Sequence, residues 1–207
     1  MSYLDKTYTE KEIAIVILAA GAGTRMGKIK QLLPGCKHTF LEEAIEKVLK
    51  LHSSRVFVVL GAHCETIEPS ITHLPIKIIY HKDWQKGLGS TIAYSTKHIM
   101  EFAKEVSAIL FVLADQPLVD EKYYHTLLNK YLKSNKRIVC SNYNNKPGVP
   151  AIFAHKYFQD LTELKGDVGA KRIMMENKQD LELLEEKPDL LDIDSPEDYL
   201  NYLKSIC

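Results

Sequence analysis

An α/β fold built on a mainly parallel sheet is predicted by three features of the sequence. Short β-branched runs alternate with longer amphipathic segments, the pattern of strands joined by crossover helices. The first run ends in a glycine-rich string. No repeat, low-complexity tract or linker divides the 207 residues, so we expect one domain over 1–207.

Each element follows in order. Glu12–Leu18 (EIAIVIL) is a β-branched run, apolar from Ile13 on, and reads as a strand buried on both faces. Arg55–Leu60, Pro75–Tyr80, Ser107–Leu113 and Arg137–Ser141 are the further strands. Thr39 followed by Glu42 has the spacing of a capping box and opens a helix to about Leu51. Ser90–Lys104 and Asp120–Lys133 are amphipathic helices. Ser195-Pro196-Glu197-Asp198 supplies an N-cap, a proline at the first helical position and two first-turn acids, so a last helix runs towards Ile206. The expected architecture is a Rossmann-like three-layer α/β/α domain, with ligands at the carboxyl ends of the strands.

Composition narrows the function classes. Hydrophobic residues make up 45% and charged residues 26%, the balance of a soluble globular chain. Lys plus Arg and Asp plus Glu are both 27, so the basic excess of a charge-driven nucleic-acid binder is missing. The longest apolar run, Ile13–Ala20, falls far short of the roughly 20 residues of a membrane span. Met1–Glu12 is polar and of mixed charge, unlike a signal or transit peptide. Cys36, Cys64, Cys140 and Cys207 form no metal-finger spacing and read as reduced thiols of a cytoplasmic protein. No nucleic-acid or membrane partner is expected.

The chemistry concentrates after the first strand, in Leu18-Ala-Ala-Gly-Ala-Gly-Thr-Arg-Met-Gly27 and Lys28-Ile-Lys-Gln-Leu-Leu-Pro34. Small residues let the backbone approach a ligand, and successive free N–H groups form an anion nest. Arg25 and Lys30 add fixed positive charge, so the loop is suited to phosphate. It is not a Walker A loop, because Ala22 stands where its first glycine belongs and Ile29 replaces the hydroxyl residue. It is not a dinucleotide fingerprint either, because Met26 takes the third glycine position.

This string resembles the opening of the molybdenum cofactor nucleotidyltransferases, within the glycosyltransferase-A-like nucleotidyltransferase fold. Ala19-Ala20-Gly21 followed by Lys30-Gln-Leu-Leu-Pro34 is similar to their cytidylyltransferase branch. The likeness continues through Gly87-Leu-Gly-Ser90, Leu113-Ala-Asp-Gln-Pro117, Gly166-Asp-Val-Gly-Ala170 and Asp192-Ile-Asp-Ser-Pro-Glu-Asp-Tyr199. It implies Mg²⁺-dependent transfer of CMP from CTP to the phosphate of molybdopterin or the molybdenum cofactor. Pyrophosphate is released, and a transient complex with a molybdenum hydroxylase follows. Two alternatives remain open: a cytidylyl- or other nucleotidyltransferase acting on a sugar- or alditol-phosphate, and a non-catalytic nucleotide-binding insertion factor.

Site residues follow from both readings. Asp115 comes just after a buried strand, at the edge where a carboxylate suits Mg²⁺. The resemblance makes it the metal ligand, completed by Asp194 as first choice or by Asp192. Lys30, Arg25 and Asp115 are the catalytic set, the two cations offsetting triphosphate charge. Leu18, Ala19, Ala20, Gly21, Gly23, Lys30, Gly89 and Ser90 are the nucleotide-binding set, and Ser90 either caps its helix or meets the base. Trp84 is read as structural. Gly166, Asp167, Lys171 and Arg172 are expected on the acceptor side, with the basic pair meeting the acceptor phosphate or forming plain helix-surface charge. Residues 12–120 would serve mainly the nucleotide and 121–207 mainly the acceptor. Gly148-Val149-Pro150 stands where the family commonly has Gly-His-Pro, which leaves the acceptor open.

Overall fold

A computed structural model describes residues 12–51, 55–185 and 190–206, apart from the side chains of Arg25 and Ile206. Most of the N-terminal segment expected to be polar, and Cys207, therefore lie outside the described residues.

Seven strands form one sheet: β1 (Ile13–Ala19), β2 (Val56–Leu60), β3 (Lys77–Tyr80), β4 (Ala108–Leu113), β5 (Ile138–Tyr143), β6 (Lys146–Ala154) and β7 (Leu181–Leu183). Their order is β3-β2-β1-β4-β6-β5-β7. β1 pairs parallel with β2 and β4, β2 with β3, and β5 with β7; β6 is antiparallel to both neighbours. The helices are α1 (Phe40–Leu49), α2 (Cys64–Ile71), α3 (Leu88–Phe102), α4 (Glu121–Lys133), α5 (Phe158–Thr162), α6 (Lys171–Glu176) and α7 (Pro196–Ile206). None is long and apolar enough to cross a membrane.

Alternation along β1 builds the two cores. Ile13, Ile15, Ile17 and Ala19 pack on one face with Leu41, Ile45, Leu127 and Leu128 of α1 and α4. Ala14, Val16 and Leu18 pack on the other with Ile92 of α3, Leu161 of α5 and Ile173 of α6. Every β1 residue is buried, as expected of a central parallel strand covered on both faces. Burying one such aliphatic side chain stabilises by about 1.5–3 kcal/mol.

Chain order places the site. From β1 the chain steps to β2 and β3 on one side, then returns to β4 on the other. This reversal opens a crevice between the carboxyl ends of β1 and β4, the usual ligand position in open α/β sheets.

The elements expected from sequence form within a few residues of their predicted ends, and the capping box closes. Glu42 N–H donates to Thr39 Oγ1 (3.3 Å), and Thr39 N–H donates to Glu42 Oε2 (3.0 Å). Three corrections follow. β5 continues to Tyr143, and β6, β7, α2, α5 and α6 have no counterpart among the elements read from sequence. The third helix begins at Leu88, so Gly87 is its N-cap and Ser90 lies inside the first turn. Ser90 therefore does not cap; its Oγ lies 3.0 Å from Nε2 of the buried His81.

Candidate active site

The glycine-rich loop leaves β1 and folds as two 3₁₀ turns, Thr24–Met26 and Lys30–Leu32, rather than a helix. Gln31 is buried, and its Nε2 donates to the carbonyls of Ala19 (2.8 Å) and Gly21 (2.9 Å). Those two carbonyls are thereby tied down behind the loop. Among the described residues the backbone N–H groups of Gly21, Ala22 and Gly23 meet no acceptor. Successive donors of this kind are what an anion nest requires. Gly23 has φ 60, and a Cβ there would lie 3.0 Å from Lys30 Cγ. The glycine gives both the left-handed turn and the channel for the Lys30 side chain.

Lys30 is the electrostatic centre. Only 12% of its side chain is exposed, and its ammonium donates to Asp115 Oδ2 (3.4 Å) and, more closely, to Asp194 Oδ1. Asp115 follows the end of β4, where Ala114 N–H reaches Leu18 O (3.4 Å). Asp192 and Asp194 are brought in from far along the chain. Ile193 between them is fully buried against Met26, Leu33, Phe40 and Tyr202, and its N–H donates to Asp115 O (3.0 Å). With Ile193 buried as a plug, the flanking carboxylates face the crevice, as i, i+2 positions in an extended segment should. Asp194 takes Lys30, and Asp192 takes Gln116 Nε2 (2.8 Å). Asp198 fixes the turn that follows, accepting from the N–H groups of Asp194 (3.1 Å) and Ser195 (2.7 Å).

Three carboxylates share one lysine. Burial pushes Asp115 above the ordinary carboxylate range, and Asp194 adds to this while Lys30 opposes it. Burial and the Asp115 charge push Asp192 up as well. This surplus of hard oxygen donors suits Mg²⁺, which binds one or two carboxylates and completes its shell with phosphates and water. Among the described residues no three His, Cys, Asp or Glu side chains enclose a metal by themselves. A site shared with substrate oxygens needs no such cage, so the residues fit the ion.

Two hollows meet at Leu18, Gly21 and Asp115. The smaller, about 90 Å³, contains Lys30, Gln31 and Gly23. The larger, about 420 Å³, runs past Ala20, Trp84, Gln85, Gly87, Leu88 and Thr91 to Asp167 and Asp192. The larger wall carries three carboxylates and, among the described residues, no lysine or arginine.

The predicted residues sort accordingly. Leu18, Ala19, Ala20, Gly21, Gly23, Lys30 and Asp115 line the two hollows, joined by Asp167 and Asp192. Asp194 reaches the site through Lys30. The turn and first helical residues after Trp84 contribute Gly87, Leu88 and Thr91 to the wall rather than Gly89 and Ser90. Gly166 acts through its backbone, accepting from Gly89 N–H (2.8 Å). Lys171 and Arg172 are exposed on α6 outside both hollows, and Arg172 Nε is 3.9 Å from Glu176 Oε1. The acceptor-phosphate role expected of this pair thus has no hollow beside it in this structure. Arg25 keeps its place in the first 3₁₀ turn, but its side chain lies outside the described residues. Trp84, read as structural, lines the larger hollow and also packs on Gly61. Gln31, Gln85 and Gln116 were missed as site residues; only Gln31 and Gln116 had a signal, being embedded in the two strings Lys30–Pro34 and Leu113–Pro117.

Comparison with known proteins identifies the family. The profile of the MobA-like NTP transferase domain matches residues 15–181, most of the chain. The chain belongs to the MobA-like NTP transferase family. It carries the NTP transferase domain of that family over those residues, and relatives and solved structures extend the picture. Nicotine blue oxidoreductase of Paenarthrobacter nicotinovorans is 37% identical over 103 residues, covering 49% of this chain and 48% of that protein. The bifunctional protein GlmU of Francisella tularensis subsp. novicida is 25% identical over 169 residues, 81% of this chain and 36% of that protein. This MobA-like chain thus spans about half or less of the curated relatives it matches. Rv0371c of Mycobacterium tuberculosis has the same fold, with a TM-score of 0.80 at 23% identity over 95% of this chain and 100% of that one. It has also been solved with manganese, with a TM-score of 0.75, 22% identity and coverage of 93% and 98%. A CMP-2-keto-3-deoxy-manno-octonic acid synthetase solved with CTP shares the fold at TM-score 0.72 and 11% identity, covering 94% and 97%.

Proposed function

We propose that this chain transfers CMP from CTP to the phosphate of molybdopterin or the molybdenum cofactor and releases pyrophosphate, with Mg²⁺ as the metal. The observation that carries this reading is the Lys30 ammonium set between Asp115 and Asp194, opening onto the free N–H groups of Gly21–Gly23. An acceptor phosphate oxygen forms a bond to the α-phosphorus, and the bond from that phosphorus to the bridging oxygen of pyrophosphate breaks. Such transfer is driven by positioning and charge stabilisation, and the site supplies both. Lys30 exchanges carboxylate oxygens for phosphate oxygens, and the loop N–H groups take others. Arg25 adds a second cation from the same loop. Asp115, with Asp194 or Asp192, would hold the metal, which when bound neutralises phosphate charge. Residues 12–120 supply most of the nucleotide side, and 121–207 supply Asp167 and the two later aspartates.

CTP is favoured by the Ala19-Ala20-Gly21 form of the loop, and the product would be handed to a molybdenum hydroxylase. One observation favours a different acceptor. Val149 stands where the family commonly has histidine, and its carbonyl is occupied by the Tyr143 hydroxyl. A sugar- or alditol-phosphate is therefore the second reading. The test is pyrophosphate release with Mg²⁺ and CTP, GTP or UTP against molybdenum-charged molybdopterin and a panel of sugar and alditol phosphates. Release with CTP and molybdopterin alone supports the first reading. Release only with a sugar or alditol phosphate replaces it with the second, and no release with any pair sinks both.

A further inference from the structure

Asp192 is not held by the segment it belongs to. Its Oδ1 accepts from Gln116 Nε2 (2.8 Å), and the same nitrogen donates to Tyr143 Oη (2.6 Å). The Tyr143 hydroxyl in turn donates to the carbonyl of Val149. Donor inventory fixes the direction of this chain. A backbone carbonyl only accepts, so Tyr143 spends its single proton on Val149 and must itself accept from Gln116. The amide therefore turns its NH₂ towards both Tyr143 and Asp192. Its Oε1 is left buried without a partner. Gln116 is only 3% exposed, so that orphaned oxygen is a standing penalty. What the orientation secures is the hold on Asp192. The Tyr143 ring lies over Gly148 where a Cβ would stand, so the glycine leaves the ring its place.

We propose that Gln116, aligned by Tyr143 and the Val149 carbonyl, is the positioning residue that keeps the Asp192 carboxylate beside Asp115 for the divalent ion. The chain links the β5–β6 hairpin to the Asp192 carboxylate at the edge of the crevice. The inference rests on the nucleotidyl-transfer reading for its purpose, but not for its test.

The test uses the full chain and Mn²⁺ as a paramagnetic probe. Mn²⁺ affinity in the presence of CTP is read from the EPR signal of free Mn²⁺, and kcat and the KM for CTP are measured separately. Gln116→Met keeps the length and removes the donor; Tyr143→Phe keeps the ring over Gly148 and removes the hydroxyl. Loss of a group that orients a metal ligand commonly costs about 10–100-fold in metal affinity or activity. Gln116→Met is expected to weaken Mn²⁺ binding by that factor and to lower kcat while the KM for CTP holds. Tyr143→Phe is expected to move the same way by less. A merely structural glutamine would lower the melting temperature and leave Mn²⁺ affinity alone, and that result overturns the proposal. Should Gln116→Met fail to fold, Tyr143→Phe decides, and unchanged Mn²⁺ affinity again overturns it. Wild-type protein that binds Mn²⁺ with CTP but transfers no CMP defeats the proposed reaction and spares this inference. Wild-type protein that binds no Mn²⁺ defeats the inference.

Discussion

The backbone N–H of Ile193 donates to the carbonyl of Asp115 across 3.0 Å, and this bond joins the segment before α7 to the end of β4. Asp115 and its two partner aspartates are thus fixed relative to one another by backbone, not by side chains alone. Ile193 is fully buried, and Tyr202 of α7 packs edge-on against Phe40 of α1 at 5.1 Å to brace the same corner. Ile193→Ala should cost about 2–5 kcal/mol of stability, as other buried isoleucine truncations do. Transfer activity should fall further than the folded fraction explains, because the flanking carboxylates lose their anchor. Urea unfolding alongside the rate per folded molecule checks both. A stability loss with full specific activity would show that Ile193 only fills the core.

Lys30 and Asp115 lie in one hollow, so their removal should act on the same step. Lys30→Ala and Asp115→Asn are each expected to lower the transfer rate about 100- to 1000-fold, the usual loss for one charge-stabilising group. Because the two groups touch, the double variant should lose less than the product of the single losses. Pyrophosphate release from the three variants gives the coupling directly. Strict multiplication would mean that the contact has no role in turnover.

Much of this corner was legible in the sequence. The β-branched run of β1, the small residues after it and the carboxylate after β4 each carry a local signal, and strand order then brings them together. The capping box of α1 and the Ser195 N-cap of α7 are local as well. β6 was hidden by Pro147 and Pro150, which argue against a central strand. Pro147 pairs only with Asn142 of β5, and Pro150 falls in the register shift opposite Cys140 and Ser141; pairing with β4 begins at Ala151. The Gln116–Asp192 contact spans 76 positions and the Gln116–Tyr143 contact 27, and no spacing rule reaches that far. Trp84 shows in the structure both the packing expected of it, against Gly61, and a place on the wall of the larger hollow.

Gly87 and Asp167 meet across the larger hollow. Gly87 has φ 93, and a Cβ there would run into Asp167 Oδ1 and the Gly166 carbonyl. Gly87→Ala combines a strained backbone with this collision and should displace the Gly166–Asp167 loop. The expected outcome is a raised KM for the acceptor, along with lower stability from the strain. Asp167→Ala relieves the contact, so Gly87→Ala should be milder in that background. Equal effects of Gly87→Ala with and without Asp167 would show that the collision is irrelevant.

Asp192 should weaken the fold it serves. Burial and the Asp115 charge raise its pKa, while Gln116 opposes them. A raised folded-state pKa means that the native state favours the protonated acid. The penalty is absent below the unfolded value of roughly 3.9, and it grows as pH rises through the folded-state pKa. Asp192→Asn removes the charge and keeps an oxygen for the Gln116 amide. The metal-free variant should therefore melt higher than wild type near neutral pH, with the gap closing in acid. Saturating Mn²⁺ should narrow the neutral-pH gap, because wild type gains more from the ion than the variant does. Melting curves across the pH range, with and without Mn²⁺, separate these effects. A variant that melts lower than wild type at neutral pH without metal would show that the Asp192 charge is compensated within the fold, and the case for a cation at this corner would lose its electrostatic basis.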